Sequence, residues 1–189
     1  MSNFVYANKS ITQDNIHIRQ YEIGIIIKED ESKCLVNFVN NNVSIPVEKD
    51  FLKSFDPYKT GDQFPKKVCN VCHRLLDVKE FQKNQNGKNN RTVRRPSCND
   101  CRKTIDGVSM TTREVNEMRN IKPHMEIWTC PICQKTTIPG LTSKVVIDHN
   151  HKTGHPRAWI CDSCNTGLGR FKDDVKLLER AIEYLKSSK

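Results

Sequence analysis

The chain has 189 residues, 36% of them apolar and 28% charged, with a formal net charge of +9. So low an apolar fraction excludes one large core and leaves part of the stability to staples, while the positive balance favours an acidic polymer, nucleic acid first, as partner. The opening MSNFVYANKS lacks the charged and apolar segments of a secretory leader, and no stretch nears the roughly 18 apolar residues of a membrane span, so a cytoplasmic protein with no membrane partner is expected.

In chain order, IHIRQ, YEIGIIIKE, KCLVNFV and VSIPVEK are rich in Val and Ile and are separated by the polar turns EDES and NNN. They read as short strands of a small antiparallel β-barrel or sheet, the first domain, residues 1–62. Cys34 lies in an apolar run and reads as a buried free thiol. Pro57 and the Gly of YKTGDQF break the strand pattern and mark the linker out of this domain.

The other eight of the nine cysteines form four Cys-x-x-Cys pairs. Cys69 and Cys72 precede Cys98 and Cys101 by 25 intervening residues, and Cys130 and Cys133 precede Cys161 and Cys164 by 27, a tandem repeat of one four-thiolate module. Two facing pairs supply the tetrahedral soft-ligand set that zinc prefers, and in a reducing compartment metal outranks disulfides. Two structural zinc ions per chain are expected, one in residues 63–122 and one in residues 123–189. In the first module, KNQNGKNNRTVRRPS carries Lys83, Lys88, Arg91, Arg94 and Arg95, basic and amide-rich, a composition suited to phosphates and base edges.

Thr111 and Glu114 have the spacing of a capping box and predict a helix to about Ile121, before Pro123. Val145 to Ile147 and Arg157 to Ile160 predict two strands, with a helix beginning near Cys161. Phe171, Val175, Leu178, Ile182 and Leu185 recur at helical spacing, with Asp173 and Asp174 at the positive end and Lys186 and Lys189 at the negative end. That stripe is expected to be core.

The second module holds DHNH, TG, Arg157 and CDSCNTGLG in the order strand, strand, helix. This resembles the ββα-metal, or HNH, nuclease superfamily and within it the recombination endonuclease VII branch. The resemblance implies an α+β chain in which the β-barrel is followed by two zinc modules, the second a ββα-metal fold with a C-terminal helix. It implies a metal-dependent DNA endonuclease in which Asp148 and Asn165 hold one magnesium or manganese ion and His149 is the general base. The chemistry suits those residue types, since a hard cation takes carboxylate and amide oxygens and a neutral imidazole, aimed by a partner on its other nitrogen, accepts the proton of the attacking water. Four thiolates leave zinc no open position, so its role is structural. His151 is a rival for the base or a phosphate contact, and Lys152, Arg157 and Arg102 join the arginines of the first module as candidate DNA contacts.

The first module serves as an internal control. Asp148 and His149 lie 13 and 12 positions before Cys161, and the same offsets from Cys98 give Gln85 and Asn86. Asn165 follows the fourth cysteine where the first module has Arg102. The first copy therefore keeps the metal frame without the chemistry and is expected to bind DNA. A compact chain with a separate β module and an inactive copy points to a type II restriction endonuclease, a homodimer cutting both strands of double-stranded DNA at a palindrome. The residues also leave open a branched-DNA resolvase of the endonuclease VII kind and a non-catalytic zinc module that binds nucleic acid.

Overall fold

The structure, a computed structural model, describes residues 3–87 and 91–187, so that Lys88 and Lys189 lie outside the described residues. It divides into two compact units, Met1–Lys103 and Thr104–Lys189. The N-terminal sheet and the first four-cysteine group share the first unit, and the segment from Thr104 onward belongs with the second group. Among the described residues, no helix is long and apolar enough to cross a membrane.

The first unit opens with β1 (Phe4–Ala7), β2 (Ile11–Gln13), β3 (Ile16–Ile18), β4 (Ile23–Glu29), β5 (Lys33–Phe38), β6 (Val43–Glu48) and β7 (Leu52–Ser54). Alternation along β5 sends Cys34, Val36 and Phe38 into a core with Val5, Ala7, Ile18, Ile45 and Val47, as a half-buried sheet requires. Cys34 is the buried thiol the sequence suggests, raised from its ordinary pKa by burial. The sheet is antiparallel in the order β6-β5-β4-β1-β7, and it is open rather than the closed barrel expected. Among the described residues, no ladder joins the end strands β6 and β7: after a single 3-10 turn at Lys49–Phe51, the three-residue β7 pairs with β1 instead.

Two copies of one pattern follow. The first has β8 (Lys66–Val68), β9 (Leu75–Asp77), β10 (Lys83–Asn86), β11 (Thr92–Arg94), α1 (Asn99–Asp106) and α2 (Thr112–Asn120). The second has β12 (Trp128–Thr129), β13 (Thr136–Thr137), β14 (Val145–His149), β15 (Pro156–Cys161), α3 (Asp162–Arg170) and α4 (Val175–Ser187). In each copy the first cysteine pair sits in the turn of a hairpin and the second pair at the start of a helix. The turns are built alike: His73 and Gln134 adopt left-handed backbone and donate their N–H groups to the carbonyls of Cys69 and Cys130, both at 3.0 Å.

In the first unit, Leu75 N–H donates to the Tyr21 carbonyl at 2.8 Å and Ile23 N–H to the His73 carbonyl at 2.9 Å, which stitches the cysteine hairpin to the sheet. In the second, the capping box at Thr111 forms as its spacing predicts, with Glu114 N–H donating to Thr111 Oγ1 at 3.2 Å and Thr111 N–H to Glu114 Oε2 at 2.9 Å. Trp159 Nε1–H donates to the Met118 carbonyl at 2.9 Å, fixing α2 on β15.

The apolar stripe at the C-terminus is not core. Phe171, Val175, Ile182 and Leu185 are 37%, 66%, 51% and 71% exposed, and α4 contains no buried residue. Its periodicity correctly forms a helix, but periodicity cannot supply an element to cover that face.

Candidate active site

The metal frames come first because they hold the rest in place. In each group of four cysteines the ligand atoms lie within 4.8 Å of one another. Sulfur pairs Cys72–Cys98 and Cys130–Cys164 are 3.9 Å apart and Cys133–Cys161 3.8 Å. Four thiolates about 2.3 Å from a central zinc stand about 3.8 Å apart, whereas a disulfide would bring sulfurs to about 2.0 Å. Both groups therefore fit zinc. Backbone donors prepare them for the charge: burial pushes the Cys69 thiol up, but the N–H groups of Cys72, Cys98 and Val71 outweigh it and hold it at about 7. Cys130 reaches about 6 in the same way, through the N–H groups of Cys161, Cys133 and Ile132. Burial raises Cys72 to about 11 and Cys164 to about 12, so these thiols give up their protons to a bound cation rather than to water.

The second frame positions a hairpin against a helix. Strands β14 and β15 pair from Val145↔Cys161 to Asp148↔Ala158, and then the register slips so that His149 faces Pro156. Val145 and Ile160 are buried beneath this ladder, and Asp148 is only 7% exposed, deep for a carboxylate. Cys161 directly precedes α3, which packs on both strands and carries Cys164 and Asn165 in its opening turns. Asp148 and His149 thus close β14, while Asn165 stands on the helix packed against it.

The slip leaves Arg157 as the extra residue of a β-bulge, so Arg157 and Ala158 together oppose Asp148. One guanidinium nitrogen donates to Asp148 Oδ2 at 3.1 Å and to Asp173 Oδ1 at 2.9 Å, and the other to Asp173 Oδ2 at 2.7 Å. Arg157, named from sequence as a DNA contact, thus has two intramolecular partners. It in turn holds the Asp173 carboxyl below the ordinary range. Asp173, read as a helix-dipole charge, instead serves this pair, and Asp174 caps α4 by accepting from Lys176 N–H at 2.8 Å. No sequence signal marked Asp173, because the contact exists only once the bulge and the end of α3 meet.

The His149 and His151 ring centroids lie 4.9 Å apart, the rings tilted by 38° to each other. His151 Nδ1 donates to the Ile105 carbonyl at 3.0 Å; a carbonyl can only accept, so Nδ1 carries a proton. Among the described residues no hydrogen-bond partner is recorded for the His149 ring, so the fixed partner foreseen for it belongs to its neighbour.

The turn beyond His149 is buttressed from below. Gly107 (φ 64°) lies so close to the turn that an added Cβ would stand 2.0 Å from the His151 carbonyl oxygen, and Val108 N–H donates to that oxygen at 2.8 Å. Gly154 (φ 79°) also packs closely, an added Cβ standing 2.7 Å from the Ser109 carbonyl oxygen. His155 Nδ1 donates to Glu114 Oε1 at 2.7 Å, linking the turn to α2. Lys152 is exposed on it.

In the first unit, Gln85 and Asn86 occupy β10 as Asp148 and His149 occupy β14. Arg91 is exposed beside that hairpin. Arg94 is more embedded: its N–H donates to Asp62 Oδ2 at 3.1 Å and its guanidinium to the Phe81 carbonyl at 2.7 Å. Arg95 is half-buried on the same hairpin, and Arg102 lies in α1.

Comparison with known proteins agrees with this division. Residues 103–187 match the recombination endonuclease VII family and residues 56–107 the His-Me finger endonuclease beta4-alpha2 domain. The gene 59 proteins of Mycobacterium phages D29 and L5 are 41% and 42% identical over 58 and 57 residues, 30% of this chain. The aligned stretch spans about a third, 34%, of the length of these curated relatives. The crystal structure of the ββα-Me type II restriction endonuclease Hpy99I matches over 100% of both chains at 43% identity with a TM-score of 0.91.

Proposed function

The chain belongs to the ββα-Me, or His-Me finger, endonuclease family, and from that premise we propose that it is a sequence-specific type II restriction endonuclease that hydrolyses double-stranded DNA as a homodimer. The observation that carries this reading is the full-length likeness to a type II restriction endonuclease, N-terminal sheet and first module included. A nuclease that reads shape alone has no need of a second four-cysteine copy stripped of Asp, His and Asn.

Asp148 and Asn165 offer the carboxylate and amide oxygens that a magnesium or manganese ion takes, and each cysteine group holds one zinc. When bound, the hard cation supplies charge neutralisation on the scissile phosphate and on the departing 3′ oxygen. In its neutral form the His149 ring accepts a proton from water as the water oxygen bonds to phosphorus and the P–O3′ bond breaks; solvent returns a proton to the 3′ oxygen. Lys152 and His151 lie on the same turn and face the phosphates beside the cut. Arg91 and Arg95, with Lys83, Arg94 and Arg102, give the first module its DNA surface. A short palindrome presents two related strands, so one active site per chain calls for two chains, and the uncovered face of α4 is available for such pairing.

A second reading, a resolvase of branched DNA, is favoured by the endonuclease VII match over residues 103–187. One experiment separates the two. Purified protein is incubated with linear DNA of known sequence and magnesium, with a chelator control and with His149→Ala alongside. Discrete fragments that vanish with chelator, and a His149→Ala protein that binds DNA without cutting, are the expected result. Intact linear DNA with cleaved four-way junctions would establish the resolvase instead, and binding without any cleavage would leave a non-catalytic zinc module.

A further inference from the structure

Arg157 touches two carboxylates, and the contacts are unequal. It grips Asp173 at two points, 2.9 and 2.7 Å, and Asp148 at one, 3.1 Å. The pair is partly shielded, since the Asp148 and Asp173 side chains are 9% and 17% exposed and that of Arg157 39%. A bidentate guanidinium–carboxylate pair is the stronger form, so the arginine's charge is matched first by Asp173. Two carboxylates and one guanidinium leave one net negative charge at Asp148.

The chain goes to some conformational cost to bring Asp173 there. After α3, Lys172 and Asp173 both take left-handed backbone, at φ 58° and 54°, a region that disfavours side chains. The turn is closed by Asp173 N–H donating to the Leu168 carbonyl at 3.0 Å. Asp173 therefore leaves from the far end of the helix whose near end carries Asn165, and reaches through Arg157 to Asp148 on β14.

We propose that Asp173 is a positioning residue for the divalent-cation site. By occupying Arg157 at two points it fixes the guanidinium against Asp148 without letting it neutralise that carboxylate, and it ties the end of α3 to the hairpin so that Asp148 and Asn165 keep their spacing. The inference rests on the reading of Asp148 and Asn165 as cation ligands. Removing the Asp173 charge turns Arg157 wholly onto Asp148 and leaves the site with no net charge to attract the ion.

The test is Mn2+ binding to the zinc-loaded protein without DNA, read as loss of the free Mn2+ electron paramagnetic resonance signal. Asp173→Asn, nearly isosteric, should weaken Mn2+ by roughly tenfold or more. The double variant Arg157→Gln with Asp173→Asn restores one net negative charge and should recover most of the affinity. Wild-type affinity in Asp173→Asn overturns the proposal, and so does a double variant as weak as the single one, which would make Asp173 a merely structural turn residue. Asp148→Ala is the control: Mn2+ binding that survives it refutes Asp148 as a ligand, a failure of the underlying reading distinct from failure at Asp173.

Discussion

Replacing Gly107 by alanine should loosen the turn that follows His149. The added Cβ would stand 2.0 Å from the His151 carbonyl oxygen, where ordinary contact begins at 3.4 Å, so one backbone must move by more than an ångström. Left-handed backbone costs an L side chain about 1–2 kcal/mol, and the displaced Val108 N–H to His151 carbonyl bond contributes about 1 kcal/mol. The turn should therefore lose about 2–3 kcal/mol of its docking on residues 107–109. Misplacing a catalytic group by about 1 Å can cost about a hundredfold in rate, so single-turnover cleavage should fall by that order while DNA binding persists. Urea unfolding followed by tryptophan fluorescence measures the stability half of the prediction, because both tryptophans, Trp128 and Trp159, lie in the second unit. Wild-type stability together with wild-type cleavage in Gly107→Ala would refute the view that this segment holds the turn.

Two other perturbations test the frame around the site. Cys130→Ser removes a fully buried ligand of the second cysteine group; zinc released to a colorimetric chelator should halve and the tryptophan signal should report an unfolded second unit, whereas a folded, active, zinc-depleted variant would deny the metal a structural role. Glu114 is held down at about 2, first by the Thr111 hydroxyl, then by the Thr111 N–H and by His155, against an ordinary value of 4.5. A depressed carboxyl contributes stability that is complete above the unfolded value and is lost as pH falls through the folded one. Glu114→Gln should accordingly be less stable than wild type above about pH 4.5, and the two unfolding midpoints should converge as pH falls to about 2; midpoints separated by the same amount across that window would count against the Thr111 and His155 contacts.

The sequence alone determined what is local or strictly periodic. Cys-x-x-Cys spacing fixed both metal frames because two thiolates of one turn must converge whatever surrounds them. The Thr111–Glu114 box set the start of α2, since its hydrogen bonds span three residues and need no tertiary partner. Alternation of Val and Ile delivered three strands of the N-terminal sheet, β4, β5 and β6, together with β3, which pairs with β2 in a hairpin of its own, and the strand–strand–helix order around DHNH placed Asp148 and His149 at a strand end and Asn165 on a helix. Tertiary structure decided the rest. The sheet stays open because β7 finds β1 rather than β6, a choice of edge that no strand encodes by itself. The stripe on α4 is helical but uncovered, because periodicity specifies a face and not its neighbour. Arg157 looked like a free cation for phosphate until a one-residue bulge turned it onto Asp148 and two left-handed residues beyond α3 brought Asp173 to meet it. Those contacts join positions distant along the chain, and their energy depends on where three elements meet in space, which residue type and spacing do not determine.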